Sequence, residues 1–285
     1  MERMINLDQC TLNALKLFPK SKLPKIKTTF KNPIIVGSGN AAALGKLLFH
    51  GIFANESDYL EKLKTEKIDG CILISASGGK HSPIIAKQMK KKKIKTILLT
   101  NNPKGKAVKL VDKTYIFPKN IEPYTYNTST YLGMILSKTN EDPKKILNFL
   151  KKIKTPNLKK YNSYYFIVPE KFDPIREFFE TKFDELFGPM IQGKAFTYEE
   201  TKHAKTIVKS NKELFISLGI NNKIFGENKL NYKIPKWADF GLIFCLGYYL
   251  IGKIQETNKP WFKENIESYV KEASKIFGEK IEIMS

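Results

Sequence analysis

The sequence predicts an α/β protein made of two three-layer α/β/α domains, each built around a mainly parallel sheet. Large apolar side chains are abundant, since 42% of the 285 residues are hydrophobic and 12% are aromatic. Only a packed core can hide so many of them. Short apolar runs alternate with helical segments, which is typical of a parallel sheet covered on both faces. The second half repeats this plan, and the length allows two domains of ordinary size.

The first half contains four predicted strands with helices between them. The strands are short apolar runs at 33–36, 71–74, 96–99 and 114–117. An alanine- and leucine-rich stretch, 41–53, predicts a helix after the first strand. After the second strand, Ser82 and Pro83 predict a helix start, with the serine as N-cap and the proline at the first helical position.

A lysine-rich segment that contains a proline, 154–162, is the predicted linker between the domains. The first domain is then 1–153, and it ends in a helix that begins at Asp142-Pro143. The second domain is 163–285. Its predicted strands and helices are strands at 164–168 and 214–218, a helix from Asp173-Pro174, and helices at 240–254 and 261–277.

The net charge of +21 comes almost entirely from lysine, because arginine occurs only at Arg3 and Arg176. The lysines are spread along the whole chain, and reading of base edges favours the bidentate guanidinium group. Nucleic-acid binding is therefore the least favoured of the functions considered. A lysine-rich surface still attracts phosphorylated small molecules.

The remaining composition indicates a cytoplasmic protein without a metal centre. The three cysteines, Cys10, Cys71 and Cys245, lie far apart and have no metal-ligand spacing. Their small, odd number predicts a reducing compartment and no disulfide framework. We expect no contact with a membrane, because no run approaches the roughly 20 apolar residues of a spanning helix.

Small polar residues and glycines follow the predicted strands of the first half. In an open parallel sheet, ligands bind beyond the carboxyl ends of the strands. Glycine lets the backbone approach a ligand closely, and hydroxyls and helix N-terminal amides can hold an anion. The turn residues predicted to bind a substrate are Gly37, Ser38, Gly39 and Asn40 after the first strand, and Ser75, Ser77, Gly78, Gly79 and Lys80 after the second.

Either turn alone is equally well explained as an ordinary strand-to-helix turn with its N-cap. The two turns together, with Thr100-Asn101-Asn102 after the third strand, favour a phosphate site. A nucleotide is disfavoured, because the chain has neither the dinucleotide pattern G-x-G-x-x-G nor a Walker lysine here.

These motifs resemble the sugar isomerase (SIS) domain. The stretch 74–79 is similar to the strand that runs into S-x-S-G in this family, and Thr100-Asn101 is similar to the T-N that ends its next strand. The segment 122–130 resembles the later E…(S/T)(S/T) segment, which opens a helix. The resemblance covers both halves as a tandem SIS protein. It implies that Asn127 and Thr128 join the serines around a hexose or amino-hexose phosphate.

The second half resembles the E-x-x-H segment of glucosamine-6-phosphate synthase-like and phosphoglucose/phosphomannose isomerase-like proteins. Glu200 and His203 match that segment. The resemblance implies that His203 opens the sugar ring and that a preceding glutamate moves a proton between carbons 1 and 2. Aldose–ketose isomerisation needs such a base, an imidazole near the ring oxygen, and a cation beside the enediolate. A surface histidine with ordinary helix ion pairs is the alternative interpretation.

Glu185 is the candidate for the base, although the spacing usual in the family leads to Phe187. The prediction is a hexose-phosphate aldose–ketose isomerase or amino-sugar-phosphate deaminase that needs no cofactor. The alternative is a sugar-phosphate sensor that has lost the base. The resemblance also implies a homodimer in which His203 can serve the partner's site.

Overall fold

The computed structural model describes residues 4–204, 207–259, 261–278 and 280–284. Contacts group the chain into two compact units. Unit 1 contains residues 1–16, 121–128 and 141–285, and unit 2 contains residues 17–120 and 129–140. The predicted linker, 154–162, lies inside unit 1, so this grouping differs from the predicted domain boundary.

The sheet of unit 2 has five parallel strands in the order β2-β1-β3-β4-β5. Their bounds are β1 Pro33–Val36, β2 Ile52–Ala54, β3 Gly70–Ile74, β4 Thr96–Thr100 and β5 Lys113–Ile116. The three central strands are buried along their whole length. This burial accounts for their uninterrupted apolar sequences.

The helices of this part of the chain are α2 Asn40–Leu48, α3 Tyr59–Thr65, α4 Ser82–Lys91 and α5 Thr128–Thr139. The predicted helix at 41–53 was too long, because α2 ends at Leu48 and the chain then forms β2. Gly51 makes this possible with a φ of 152°. A Cβ on Gly51 would lie 2.4 Å from the Pro33 carbonyl oxygen, so only glycine lets β2 approach β1 here.

The sheet of unit 1 has four parallel strands in the order β7-β6-β8-β9. The bounds are β6 Ser163–Val168, β7 Gln192–Thr197, β8 Glu213–Leu218 and β9 Asn228–Tyr232. The helices are α1 Leu7–Leu17, α6 Pro143–Leu150, α7 Arg176–Phe187, α8 Tyr198–His203, α9 Phe240–Thr257, α10 Trp261–Glu264 and α11 Ile266–Phe277. In the residues that the structure describes, no helix is both long and apolar enough to span a bilayer.

The predictions missed β7 and β9, which are the two edge strands of this sheet. Both alternate exposed and buried residues and contain many polar side chains. Gly193 in β7 is required by packing, because a Cβ there would lie 1.9 Å from the Phe183 ring of α7. Edge strands carry a weaker hydrophobic pattern than central ones, since one side faces water.

Residues 121–128 come from the first half of the sequence and pack in unit 1. The backbone N–H of Tyr124 donates to the Ile283 carbonyl oxygen at 2.7 Å. Pro123 and Met284 form an antiparallel bridge. This segment is therefore part of the surroundings of α7 and α11 rather than of the five-stranded sheet.

Candidate functional site

Polar residues stand in a row beyond the carboxyl ends of the strands in unit 2. The register pairs Val36 of β1 with Ala54 of β2 and with Leu73 of β3. Two residues further along each strand, Glu56, Ser38 and Ser75 therefore leave the sheet at the same level. Thr100 continues the row on β4, because Leu99 pairs with Ile74.

The turn after β3 is held in a defined conformation by its own serines. The Gly78 and Gly79 amides donate to the hydroxyl oxygens of Ser75 and Ser77, each at 3.2 Å. Gly78 has a φ of 61° and Lys80 a φ of 51°. Helix α4 starts immediately afterwards. The turn thus carries two hydroxyls directly before the N-terminus of a ten-residue helix.

The neighbouring turn after β4 supports this one from the side. The Thr100 hydroxyl donates to the Ala76 carbonyl oxygen at 2.9 Å, and the Asn102 side-chain amide donates to the Ser77 carbonyl oxygen at 3.0 Å. A Cβ on Gly78 would lie 3.2 Å from the Cα of Gly105, so the two turns touch through glycines. The backbone of the β3 turn is consequently held in one conformation before any ligand binds.

The turn after β1 is tight because Gly37 packs directly against the start of α2. A Cβ on Gly37 would lie 2.8 Å from the Ala41 carbonyl carbon, and Gly39 has a φ of 53°. Asn40 begins α2 and is buried, and its side-chain oxygen has no hydrogen-bond partner among the described residues. This oxygen is an available acceptor at the predicted site.

Ser38 does not project an unused hydroxyl, because that hydroxyl donates to the carboxylate of Glu56. The sequence analysis missed Glu56. It follows β2, which the analysis had assigned to a helix, so no strand-end turn was expected there. The strand register now places a carboxylate in the row of hydroxyls.

In unit 1, Lys182 and Glu185 form an ion pair one turn apart on α7. The Lys182 side chain is 0% exposed and that of Glu185 is 23% exposed. The Lys182 ammonium also donates to the carbonyl oxygen of Thr125. A cation this deep in the protein needs such partners, since an unpaired charge would be costly.

Burial raises the pKa of the Glu185 carboxyl above its ordinary value, and the opposing effects of Lys182 and Thr125 are smaller. Burial, together with the negative charge of Glu185, raises the pKa of Tyr269 as well. The sequence analysis named Glu185 and missed Lys182. Lys182 could have been found from the sequence, because it lies on the apolar face of α7. A lysine buried there requires an acceptor for its ammonium.

Residues 122–128 form a strained connection beside this pair. Thr125 has a φ of 77° and Asn127 a φ of 46°, which are unusual values for residues other than glycine. The buried Glu122 carboxylate accepts from the Thr128 amide at 2.6 Å. The predicted binding residues Asn127 and Thr128 thus belong to unit 1 with Lys182, whereas the serine turns belong to unit 2.

The contacts of Glu200 are structural. It forms a capping box with Thr197, accepting from the Thr197 amide at 3.1 Å and donating its own amide to the Thr197 hydroxyl. It also pairs with Arg176 at 3.0 Å. A catalytic role for Glu200 stays a prediction.

Glu185 and His203 lie on different helices of unit 1, α7 and α8, and β7 lies between these helices in the sequence. Phe183 lies level with Gly193, near the start of β7, and Glu185 is further along α7 in the same direction. His203 is exposed at the end of α8, which begins directly after β7. Four residues of strand separate Gly193 from Thr197, or about 13 Å.

Within the described ranges, no group of three or more His, Cys, Asp or Glu side chains is arranged to hold a metal ion. The cysteines Cys10, Cys71 and Cys245 are buried and free. Burial raises the pKa of Cys71 to about 12.

The chain has the fold of solved phosphosugar enzymes. Glucosamine-6-phosphate deaminase from Thermotoga maritima matches with a TM-score of 0.62 and 15% identity, over 88% of this chain and 92% of that one. Tagatose-6-phosphate ketose/aldose isomerase from Escherichia coli matches with a TM-score of 0.59 and 10% identity, over 89% and 88%.

The C-terminal domain of glucosamine-fructose-6-phosphate aminotransferase from Francisella tularensis matches with a TM-score of 0.55 and 13% identity, over 87% and 92%. No protein-family model and no curated protein matches the chain. The similarity therefore establishes the fold, an α/β arrangement with two parallel sheets.

Proposed function

We propose that the chain binds a hexose phosphate through the turns of unit 2 and interconverts its aldose and ketose forms. The observation that carries this proposal is the turn after β3, where Ser75 and Ser77 are held by hydrogen bonds just before the start of α4 and Asn102 supports the turn from the side. The proposal is also supported by the similarity of the fold to a glucosamine-6-phosphate deaminase and a tagatose-6-phosphate isomerase.

A phosphate ester suits the turn after β3 for electrostatic reasons. The hydroxyls of Ser75 and Ser77 donate hydrogen bonds once they rotate towards a ligand oxygen. The first amides of α4 follow directly in the chain, and the helix dipole favours an anion at that end. Lys80 is the cation of the same turn and adds to the attraction.

Glu185 is the proposed base for the proton transfer. A carboxylate with a raised pKa can take the proton from carbon 2 and return it to carbon 1 of the enediolate. The buried ammonium of Lys182 holds that carboxylate in position through the ion pair. No atoms are gained or lost, because the product is an isomer of the substrate.

His203 is proposed to act on the sugar held by a second copy of the chain. Its exposed position at the end of α8 leaves the imidazole accessible to a partner chain. The homodimer that the resemblance implies would supply the partner. Sedimentation of the purified chain checks the oligomeric state.

The test is the exchange with solvent deuterium of the carbon-2 proton of glucose 6-phosphate and of a carbon-1 proton of fructose 6-phosphate. We expect exchange by the wild type, and at least a thousandfold loss in Glu185→Gln with binding retained. Asp184→Asn is the matched control, since it removes the same charge from the next, exposed position. Binding without exchange in the wild type would favour the sensor. No binding of any hexose phosphate would refute the proposal.

A further inference from the structure

Glu56 stands at one end of the row of polar residues in unit 2, and its loop is held rigidly. The Asn55 amide donates to the Asp58 carboxylate at 2.7 Å, and the Ser57 amide donates to the Asn55 side-chain oxygen at 2.8 Å. These bonds fix the backbone on both sides of Glu56. Its carboxylate, in turn, accepts the hydroxyl of Ser38.

A carboxylate is the wrong group to bind a phosphate, because like charges repel. The carboxylate of the neighbouring Asp58 pairs with the Lys62 ammonium at 2.5 Å and stabilises the loop. Glu56 instead faces the row of hydroxyls. Its partner is therefore a different part of the ligand from the one that the β3 turn binds.

The strand spacing sets how far that part lies from the phosphate. Glu56 follows β2 and Ser75 follows β3, with β1 between them, so two strand spacings of about 4.8 Å, or about 10 Å, separate their backbones. The Glu56 side chain reaches Ser38 on the intervening strand, so its carboxylate lies between one and two strand spacings, or about 5–10 Å, from the β3 turn. This is the scale of a hexose ring, so Glu56 reaches a substituent of the sugar.

We propose that Glu56 selects sugar phosphates that carry an amino group, and that Ser38 orients its carboxylate. An ammonium group makes a charge-assisted hydrogen bond to a carboxylate, which is stronger than the bond from a neutral hydroxyl. The inference rests on the proposed binding of a hexose phosphate. It goes further by assigning to Glu56 the discrimination between amino sugars and neutral sugars.

The test compares two ligands that cannot be isomerised, glucitol 6-phosphate and 2-amino-2-deoxyglucitol 6-phosphate, by calorimetric titration. We expect the wild type to bind the amino compound about tenfold more tightly. Glu56→Gln should abolish this preference by weakening the amino compound alone. Glu61→Gln, which removes a charge from α3 in the same unit, should keep the preference. At a pH above the pKa of the amine, the wild-type preference should disappear.

The possible results separate the two proposals. Equal binding of both compounds by the wild type, or an unchanged preference in Glu56→Gln, overturns the role of Glu56 and leaves the phosphate site intact. Binding of neither compound overturns both proposals together. An equal loss of preference in Glu61→Gln would show a general effect of net charge and would also overturn the role of Glu56.

Discussion

Replacing Lys182 by methionine tests whether the buried ion pair on α7 is as tightly coupled as its contacts indicate. The variant keeps the length and apolar character of the side chain. It removes both the ion pair with Glu185 and the hydrogen bond to Thr125. Breaking a buried pair by removing one partner typically costs about 3–5 kcal/mol. Because the Glu185 side chain is 23% exposed and reaches water, we expect about 2–4 kcal/mol at neutral pH.

Fluorescence measures this loss in the right part of the molecule. Both tryptophans of the chain, Trp237 and Trp261, belong to unit 1. Urea unfolding followed by tryptophan emission should show the midpoint of Lys182→Met lowered, with an unchanged slope. The cost should shrink in mildly acidic buffer, where Glu185 becomes neutral and no longer needs a cation. A loss below 1 kcal/mol, or one that is independent of pH, would refute the reasoning.

Two further predictions concern the same unit and the same assay. The pKa of Glu185 is raised on folding, so its contribution to stability is present below the ordinary glutamate pKa of about 4.3 and is lost as pH rises through the raised value. The unfolding free energy of Glu185→Gln should therefore fall less with rising pH than that of the wild type, and parallel pH profiles would contradict this. The Glu141 carboxylate accepts from the Asp239, Gly241 and Leu242 amides at 2.8, 2.6 and 3.0 Å, and Glu141→Gln should cost about 1–2 kcal/mol. An unchanged urea midpoint would show that water replaces these bonds.

The sequence identified the central strands because their burial on both faces leaves an unmistakable run of apolar residues. The strands β3 and β4 were predicted to within one residue at each end. The edge strands β7 and β9 escaped, since half of their residues face solvent and their sequences look like polar loops. The short strand β2 was hidden for a different reason. The helix pattern before it ends without a strong stop signal, and Gly51 acts through its packing against Pro33.

Site residues were predictable where a motif sits next to a strong strand. The serine turn after β3 is such a case, although its internal hydrogen bonds could not be predicted from the sequence. Predicting Glu56 as a site residue requires knowing that β2 is a strand. Predicting the role of Lys182 requires knowing which face of α7 is buried. The packing of Phe183 in α7 against Gly193 in β7 is a tertiary contact, which sequence spacing does not contain.

The most direct test of the phosphate site is a crystal structure of the chain soaked with glucose 6-phosphate. We predict that the phosphate group lies at the turn after β3, within hydrogen-bond distance of the Ser75 and Ser77 hydroxyls and of the first amides of α4. Phosphate density elsewhere on the lysine-rich surface, with that turn empty at saturating ligand, would contradict the account.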